Sequence, residues 1–415
     1  MNTNELKDFS KRVNDQLYGH IMPFWCGPAV DHEQGGWMGW LFNDLMPDRT
    51  QPKGLIVNSR ILWAFSAVHR ARPEKLFQQM ADRAFDYLMN RFWDPQFGGA
   101  FWQLDDAGRV RDDSKKIYGE SFYIYAMAEY HQAFGTPTAL ARARELFELI
   151  ERHAHDSKYG GYLEVCRRDW SAADTNARLS DKDMNEKKSM NNHLHLLEAY
   201  TNLYRVWKEP RVEQRLRELI TLFEQRILDA RTLHFQHFFD EEWHVRSDSY
   251  TFGHDIEGSW LLCEAAEVLG DAALLKRVQA LALKMAEVVL REGIAADGAL
   301  RYEGKGGTII NAGKECWPQA ETVIGFLNAF QISGDAKFLE AARRVWDFIE
   351  NHLMDRVHGE WFWRITPEGR VDPGLPKVSE WKGPYHGSRA CLETLHRLHA
   401  ISAGKQQHRT DLSLA

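Results

Sequence analysis

Apolar and polar residues alternate along much of the chain with the three- and four-residue spacing of amphipathic α-helices. Five segments show this pattern with charged residues between the apolar ones: 74–92, 140–153, 212–228, 274–291 and 336–353. An apolar stripe of this kind is typical of a helix with one face in a core and the other in solvent. We therefore predict these segments as outer helices.

A second set of segments is apolar on nearly all sides, which indicates helices that are buried on most faces. These segments are 59–70, 119–133, 192–207, 256–269, 318–332 and 387–401. Pro318 and Pro384 stand near the starts of two of them, where the missing N–H of proline costs little. We predict an inner set of helices.

A turn that combines glycine with aromatic or apolar residues recurs six times along the chain. The copies are Gly35-Gly36-Trp37, residues 98–102, Gly160-Gly161-Tyr162, a less clear copy at 235–239, residues 297–300 and Gly359-Glu360-Trp361. Successive copies lie roughly 60 to 75 residues apart, the length of two helices and their connections.

These repeats predict an all-α fold, the (α/α)6 barrel, in which six helical hairpins with short β-hairpin inserts form a ring. We expect a single domain over residues 1–403, followed by a polar C-terminal tail at 404–415. The competing architecture is an open helical solenoid, whose repeats are usually nearer 34 residues and lack the hairpin insert.

Charge and composition narrow the choice of partners. The net charge of −7 disfavours a nucleic-acid or anionic-membrane surface, since both usually need a concentrated basic patch. The first residues lack the pattern of a signal peptide, no apolar run is long enough to span a bilayer, and the five cysteines include no C-x-x-C pair. We expect a cytoplasmic protein, a monomer or homodimer, without a nucleic-acid or membrane partner. The 15 tryptophans suit a small-molecule sugar, whose apolar C–H face packs well on an aromatic ring.

Polar residues gather at the starts of all six predicted inner helices. If these helices run in the same direction, their first turns meet at one mouth of the ring and line a funnel for a small ligand. The residues are Asn58 and Arg60; Tyr118 and Glu120; Asn191, His193 and His195; His254, Asp255 and Glu257; Trp317, Gln319 and Glu321; and Tyr385, His386 and Arg389.

Spacing distinguishes some of these residues. His254 and Glu257 are three apart and share a helix face, so their contact is either a structural hydrogen bond or one that fixes the imidazole tautomer. His193 and His195 are two apart and point to different sides, and we expect His195 to point inward.

Three further residues allow both a structural and a functional interpretation. Arg60 precedes a strongly apolar run, where a guanidinium needs a partner, which favours a role in the site. Trp317 and Trp381 fit either the core or loops at the mouth of the ring.

Motifs for other chemistry are missing from the sequence. No H-E-x-x-H motif and no close cluster of acidic residues and histidines stands out, and neither a P-loop nor a strand-borne G-x-G-x-x-G occurs. We therefore predict no metal and no cofactor. Two other classes of protein remain open: an inverting glycoside hydrolase that uses two of Asp255, Glu257 and Glu321, and a carbohydrate-binding protein without catalysis.

Seven stretches together resemble the N-acylglucosamine 2-epimerase superfamily, and within it the cellobiose 2-epimerase branch. They are 21–25, 58–63, 118–125, 190–200, Gly253-His254-Asp255-Ile256-Glu257, Trp317-Pro318-Gln319-Ala320-Glu321 and Gly383-Pro384-Tyr385-His386. The stretches extend from the first repeat to the last, so the resemblance covers nearly the whole chain.

The resemblance implies an (α/α)6 barrel that needs neither metal nor nucleotide and inverts C2 of the reducing-end aldose, converting cellobiose to glucosyl-mannose. It also leaves room for a relative that acts on free monosaccharides, as a mannose/glucose 2-epimerase or an aldose–ketose isomerase. His254 and His386 match the acid/base pair of the family, and His195 and Arg60 match its supporting catalytic groups. Sugar-contacting positions match Tyr118, Asn191, Glu257, Trp317, Glu321 and Trp381.

The chain departs from the family pattern at two positions near the mouth. Asn58 stands where some members have histidine, and Cys316 stands where a second tryptophan is common. The preference for a disaccharide or a monosaccharide therefore stays open.

Overall fold

The structure, a computed structural model, describes residues 1–173, 177–180 and 183–404. Apart from Gly404, the predicted tail at 404–415 lies outside the described residues.

Helices account for most of the described chain. In order they are α1 (Thr3–Gln16), α2 (Met22–Cys26), α3 (Leu55–Ala71), α4 (Lys75–Tyr87), α5 (Ile117–Phe134), α6 (Pro137–His153), α7 (Met190–Val206), α8 (Pro210–Leu222), α9 (Phe252–Leu269), α10 (Ala272–Val288), α11 (Cys316–Ser333), α12 (Ala336–Phe348) and α13 (Tyr385–Ser402). Each of α3, α5, α7, α9 and α11 contacts the next inner helix, and α13 contacts both α11 and α3. This closed ring confirms the (α/α)6 barrel, and the open solenoid is wrong.

The outer layer consists of α1, α4, α6, α8, α10 and α12. Five of these helices continue into a π-helical turn, at Leu17–Ile21, Leu88–Phe92, Phe223–Ile227, Val289–Gly293 and Ile349–Leu353. The sequence patterns located five outer helices, and α1 is the sixth. It begins with a capping box between Asn2 and Glu5, buries Leu6, Phe9 and Val13, and packs against α13.

The inner helices begin two to four residues earlier than the apolar pattern predicts. The predicted start at 59 becomes Leu55, and the predicted start at 256 becomes Phe252. The first turns carry polar residues that face the interior of the ring, so they lack the apolar pattern although they are helical.

Short antiparallel strands connect the repeats. They are β1 (Lys53–Gly54), β2 (Gln103–Leu104), β3 (Val110–Asp112), β4 (Lys115–Lys116), β5 (Val165–Cys166), β6 (Lys188–Ser189), β7 (Phe238–Phe239), β8 (Ser249–Thr251), β9 (Glu303–Lys305), β10 (Thr308–Asn311), β11 (Lys314–Glu315) and β12 (Arg364–Ile365). The strand before each of α3, α5, α7, α9 and α11 pairs with a strand of the following repeat, as β1 does with β2 and β4 with β5. A bridge between Leu41 and Val378 links the last repeat to the first.

A lysine–aspartate ion pair, with the lysine buried in each case, fastens five of the six turns to the strand that precedes an inner helix or to the equivalent segment. The pairs are Lys53–Asp31, Lys115–Asp94, Lys188–Asp156, Lys314–Asp297 and Lys377–Asp355. The fourth repeat has Tyr250 at the lysine position, where its ring stacks on His234 with a centroid separation of 3.6 Å. These contacts hold the first turns of the inner helices in place around one mouth. None of the helices in the described part of the chain has the length and apolar character needed to cross a bilayer.

Candidate active site

Two histidines lie next to one tryptophan at the mouth of the ring. His254 is the third residue of α9, His386 is the second residue of α13, and Trp317 is the second residue of α11. The ring centroid of Trp317 is 4.8 Å from that of His254 and 5.6 Å from that of His386. Both imidazoles are partly exposed, whereas the groups behind them are buried. The mouth therefore brings two titratable rings next to one tryptophan.

His386 and His195 each hold a buried glutamate through Nδ1. The distance is 2.6 Å from His386 Nδ1 to Glu321 Oε1 and 2.9 Å from His195 Nδ1 to Glu198 Oε2. Burial lowers the pKa of both histidines, for His386 together with the charges of Arg60 and Arg389. In the neutral state Nδ1 of each ring donates to its carboxylate, which leaves Nε2 with a free lone pair.

Arg389 joins three of the glutamates in the centre of the ring. Its guanidinium is 2.5 Å from Glu257 Oε1 and 2.7 Å from Glu321 Oε1, and it also binds Glu198 and the hydroxyl of Tyr385. Burial raises the pKa of Glu257 well above its usual value, and the charge of Glu321 adds to this shift. Burial opposes ionisation of Glu198, but Arg389 and the bond from His195 outweigh it and hold its pKa at about 2. Arg389 thus indirectly links His195 and His386.

The structure gives His254 a different partner from the one that the sequence suggested. Its Nδ1 lies 2.5 Å from Oγ1 of Thr251, whereas Glu257 binds Arg389. The prediction that Glu257 fixes the tautomer of His254 is therefore wrong: a charged partner on α13 reaches the carboxylate. Burial lowers the pKa of His254 well below its usual value, assisted by the neighbouring His237.

Arg60 is a buried cation that has no carboxylate within 4.0 Å among the described residues. It donates to the backbone carbonyl of Trp381 at 2.8 Å and to the hydroxyl of Tyr118 at 3.2 Å. Its guanidinium lies over the rings of Phe122 and Tyr385, 4.4 and 5.0 Å from their centroids. A buried and uncompensated positive charge is suited to an anion that forms only when a ligand is present.

A cavity of about 460 Å³ opens beside His254 and Asn191. The buried Oδ1 of Asn191 has no hydrogen-bond partner among the described residues. The volume falls within the range of small-molecule sites. The other lining residues include Arg178, Asp183, Glu186, Ser189, His237, Tyr302 and Glu303.

Tyr118 and Trp381 complete the part of the mouth next to Arg60. Tyr118 meets His195 edge-on, with ring centroids 5.0 Å apart, and burial raises its pKa to about 12. Trp381 lies 6.1 Å from Tyr118 and stands in the loop before α13. Trp317 and Trp381 both remain partly exposed.

Not all polar residues at the helix starts face the interior of the ring. The fourth residue of four inner helices bonds the backbone of the neighbouring turn instead: Glu120 with Ala100, His193 with Tyr162, Asp255 with Phe235 and Gln319 with Leu300. Asn58, the fourth residue of α3, donates to the carbonyl of Gly54. Cys316, the first residue of α11, is buried and uses its backbone N–H to bind Trp363. The recurrence of one helix position is the signal that could have separated these structural residues from the inward ones.

One cluster has donor atoms close enough to bind a cation. Oxygen atoms of Glu257 and Glu321 and a ring nitrogen of His386 lie within 4.8 Å of one another. These residues are up to 129 positions apart, from 257 to 386, so no sequence motif marks them. Arg389 already pairs with both carboxylates, and a cation would have to displace its guanidinium. The residues present therefore fit an internal ion pair better than a metal.

The three carboxylates considered for a hydrolase are all engaged. Asp255 is fully buried and binds His234 at 2.7 Å, while Glu257 and Glu321 hold Arg389. An inverting hydrolase needs one carboxyl group to protonate the leaving group and another to activate water. This arrangement favours proton chemistry at the histidines.

Comparison with known proteins places this geometry in a family. The family model of N-acylglucosamine 2-epimerase matches residues 36–387. A cellobiose 2-epimerase of Bacteroides fragilis is 44% identical over 388 residues, covering 93% of this chain and 98% of that protein. A cellobiose 2-epimerase of Dictyoglomus turgidum is 35% identical, covering 95% of this chain and all of the relative.

A solved structure agrees with the sequence comparison. The cellobiose 2-epimerase of Bacillus thermoamylovorans superposes with a TM-score of 0.89 at 35% identity, covering 94% of this chain and 100% of that one. The chain belongs to the N-acylglucosamine 2-epimerase family.

Proposed function

We propose that this protein is a sugar 2-epimerase that inverts C2 of the reducing-end aldose of cellobiose-type β-1,4-disaccharides. The observation that carries the proposal is the placement of His254 and His386 against Trp317, beside the uncompensated charge of Arg60. The relatives that are 35 to 44% identical over nearly their whole length are cellobiose 2-epimerases, which supports the choice of substrate.

Inversion at C2 requires a base on one face of the carbon atom and an acid on the other. After the sugar ring opens with acid/base help from a histidine, Nε2 of neutral His254 removes the C2 proton. The electron pair of the broken C–H bond moves into the C1–C2 bond, and negative charge develops on the C1 oxygen. The product of this step is a cis-enediolate, and His254 becomes an imidazolium.

Arg60 holds the oxygen that becomes negative. His195, whose Nδ1 donates to Glu198, adds a second donor from Nε2 when its ring is protonated. Arg60 is already fixed by Trp381 and Tyr118, so little reorganisation is needed as the charge forms. Removal of a single preorganised donor of this kind typically costs about 10² to 10³ in kcat.

His386 completes the reaction. After rotation about the C2–C3 bond, its imidazolium delivers a proton from Nε2 to the opposite face of C2. Glu321, 2.6 Å from Nδ1, stabilises the imidazolium and orients the ring. His254 then loses its proton to solvent and His386 regains one. In the reverse direction the two rings exchange roles.

The lining of the cavity supports a disaccharide. Besides His254 and Asn191 it includes Ser189, Tyr302 and Glu303. These hydroxyl, carboxylate and aromatic groups suit a second sugar ring beyond the one that reacts. A metal, a nucleotide, nucleic acid and a membrane play no part in this proposal.

Incubation in heavy water tests the function. The purified protein is incubated separately with cellobiose and with glucosyl-mannose, and proton NMR follows C2. We expect deuterium at C2 together with the opposite epimer. Release of glucose would indicate a hydrolase, a ketose product would indicate an aldose–ketose isomerase, and an unchanged sugar would indicate a binding protein. Parallel incubations with glucose and mannose measure the preference for monosaccharides.

Variants of the two histidines test the assignment of the base and the acid. His254→Ala and His386→Ala should each lose about 10² to 10⁴ in turnover, the usual contribution of one acid–base group. His244→Ala is the matched control, because this histidine is 69% exposed in a connecting segment. Near-normal turnover by either folded active-site variant would contradict the assignment.

A further inference from the structure

The hydroxyl of Thr251 does not make the contact that its position favours. Thr251 is the N-cap of α9, where a threonine side chain normally accepts a backbone N–H of the first turn. Its side chain makes no such bond, whereas Ser189 at the same position of α7 accepts from the N–H of Asn192 at 3.1 Å. The Thr251 hydroxyl is directed to the imidazole of His254 instead, 2.5 Å from Nδ1.

A second histidine lies on the other side of the same residue. Nε2 of His237 is 3.3 Å from the backbone nitrogen of Thr251 and 3.4 Å from its hydroxyl oxygen. The rings of His237 and His254 are 5.7 Å apart and nearly perpendicular. Thr251 therefore stands between two imidazoles.

The direction of the hydrogen bonds follows from the backbone. An N–H group can only donate, so Nε2 of His237 must carry a lone pair. Burial lowers the pKa of His237 to about 4, which agrees with a neutral ring. Since that nitrogen carries no proton, a hydroxyl that bonds it is the donor and shares its single lone pair with the backbone N–H. The hydroxyl oxygen is then free to accept the Nδ1–H of His254.

We propose that Thr251 is a positioning residue that selects the tautomer of His254 with the proton on Nδ1, with His237 as the acceptor that orients the hydroxyl. This tautomer leaves the lone pair on Nε2, the atom that takes the C2 proton. The opposite arrangement, with the hydroxyl donating to Nδ1, would put the proton on Nε2 and disable the base. The inference rests on the proposed function.

The partner of His254 also differs in charge from those of the other two histidines. Glu321 and Glu198 orient His386 and His195, but a carboxylate also favours the protonated ring. A neutral hydroxyl orients His254 without stabilising its imidazolium. The two sides of C2 are thus served by histidines with unlike partners, a hydroxyl for His254 and a carboxylate for His386.

Two substitutions separate the hydroxyl from the shape of the side chain. Thr251→Val keeps the branched shape and removes only the hydroxyl, and no capping bond is lost with it. We expect kcat for cellobiose to fall about tenfold, the effect of one lost hydrogen bond in the reacting state, while KM changes less than twofold. Thr251→Ser keeps the hydroxyl and should recover most of the turnover. Thermal melting by circular dichroism verifies that both variants are folded.

The rate at which the C2 hydrogen exchanges in heavy water can be measured for each epimer separately. A purely structural role of Thr251 would not change one of these two rates alone. Each epimer presents its C2 hydrogen to one of the two histidines, and His254→Ala and His386→Ala identify which epimer depends on which ring. Thr251→Val should slow the initial exchange of the epimer that depends on His254 and leave that of the other epimer within about twofold.

The outcomes are distinguishable. Equal losses for both epimers, or a Thr251→Val enzyme with wild-type kcat, would overturn the role of Thr251. Failure of Thr251→Ser to recover turnover would do the same. If the wild-type protein exchanges neither epimer, the proposed function itself fails and the Thr251 inference falls with it.

Discussion

At the scale of single residues, each histidine in the site has a different environment. His195 and His386 hold carboxylates, His254 holds a hydroxyl, and His193 is committed to the backbone through both ring nitrogens. Histidine suits proton transfer because its usual pKa near 6.5 lies close to neutral pH. The partner of each ring then decides which nitrogen is free and which charge state is favoured.

The contribution of Arg60 can be measured by two substitutions. Arg60→Met removes the positive charge and should lower kcat about 10²- to 10³-fold with a smaller change in KM, because the charge acts on the enediolate. Arg60→Lys keeps a charge but loses the planar fork that binds Trp381 and Tyr118, so it should fall between the wild type and Arg60→Met. Steady-state kinetics gives both constants, and Arg142→Met, in a partly exposed ion pair, is the control.

Stability should respond differently from activity at this position. Arg60 is buried without a carboxylate partner, so its removal relieves an uncompensated charge and should leave the melting temperature within a few degrees of the wild type. A folded Arg60→Met enzyme with turnover within threefold of the wild type would exclude the proposed role.

The acid side of the pH profile should reflect the lowered pKa of His254. Only the neutral imidazole can accept the C2 proton, and burial lowers the pKa, so the neutral form persists into more acidic solution. At pH 6 an ordinary histidine is about three-quarters protonated, given a pKa near 6.5. We expect kcat/KM to remain close to its maximum there and to fall only at lower pH. A half-maximal value at pH 6.5 or above, with an unchanged circular dichroism spectrum, would contradict this expectation.

At the scale of elements, four of the inner helices, α5, α7, α9 and α11, use their first two turns for two tasks. The residue at position four fastens the helix to the neighbouring turn, as Glu120 and Gln319 do. The second or third residue and those near position six point into the ring, as His254 and Glu257 do on α9. The helical repeat of 3.6 residues separates these directions. The same short helical segment therefore carries both site residues and the residue that attaches the helix to the neighbouring turn.

The buried lysines of the connecting segments should contribute strongly to stability, and Lys188 provides the test. Lys188 binds Asp156 at 2.7 Å and the carbonyls of Gly160 and Glu241 at 2.8 Å, and its side chain is fully buried. Lys188→Met leaves the carboxylate without its cation, and loss of one partner of a buried ion pair costs about 3–5 kcal/mol. Urea unfolding monitored by circular dichroism measures the change in free energy of unfolding.

An exposed ion pair serves as the control for this experiment. Lys11→Met removes the partner of Asp15, and the two side chains are 75% and 54% exposed. The expected cost is about 0–1 kcal/mol. Equal effects of the two substitutions would show that burial of Lys188 does not matter.

At the scale of the whole molecule, the first outer helix packs against the inner helix that closes the ring. α1 packs on α13, and Arg12 binds Asp347 at 2.9 Å and Glu350 at 2.7 Å near the end of α12. His386 and Arg389 both lie on α13. The N-terminal helix therefore supports the part of the ring that supplies the acid and the central cation.

Because the ring of helices is closed, we expect the protein to unfold in one cooperative transition. Phe9 of α1 is fully buried and its ring lies 6.0 Å from that of Trp346. Phe9→Ala should lower the free energy of unfolding by about 3–5 kcal/mol. We expect the urea midpoints of fluorescence, circular dichroism and activity to shift together, as in a cooperative transition.

The control for this prediction is a leucine on the surface. Leu76→Ala alters a side chain that is 44% exposed on α4 and should change stability by less than about 0.5 kcal/mol. If the Phe9→Ala protein showed a separate early transition, with activity lost before helix content, the expectation that the closed ring unfolds cooperatively would be contradicted.

The sequence by itself determined the helices and their alternation, because the spacing of apolar residues is local. It also supplied the six turns and the polar first turns, and the family resemblance singled out His254 and His386 among them. It missed α1, and it included Glu120, Asp255 and Gln319 in a funnel that they do not face, since their partners are backbone atoms of turns 19 or 20 residues away.

Only the tertiary structure determined which side chains pair with each other in the site. Arg389 binds Glu257, which is 132 residues away, and Glu198, which is 191 residues away. Because Glu257 pairs with Arg389, the hydrogen-bond partner of His254 is Thr251. Helix spacing shows which side chains share a face, but a carboxylate pairs with the strongest donor that the closed ring brings within reach. That choice depends on helices from opposite ends of the chain, and no local pattern contains it.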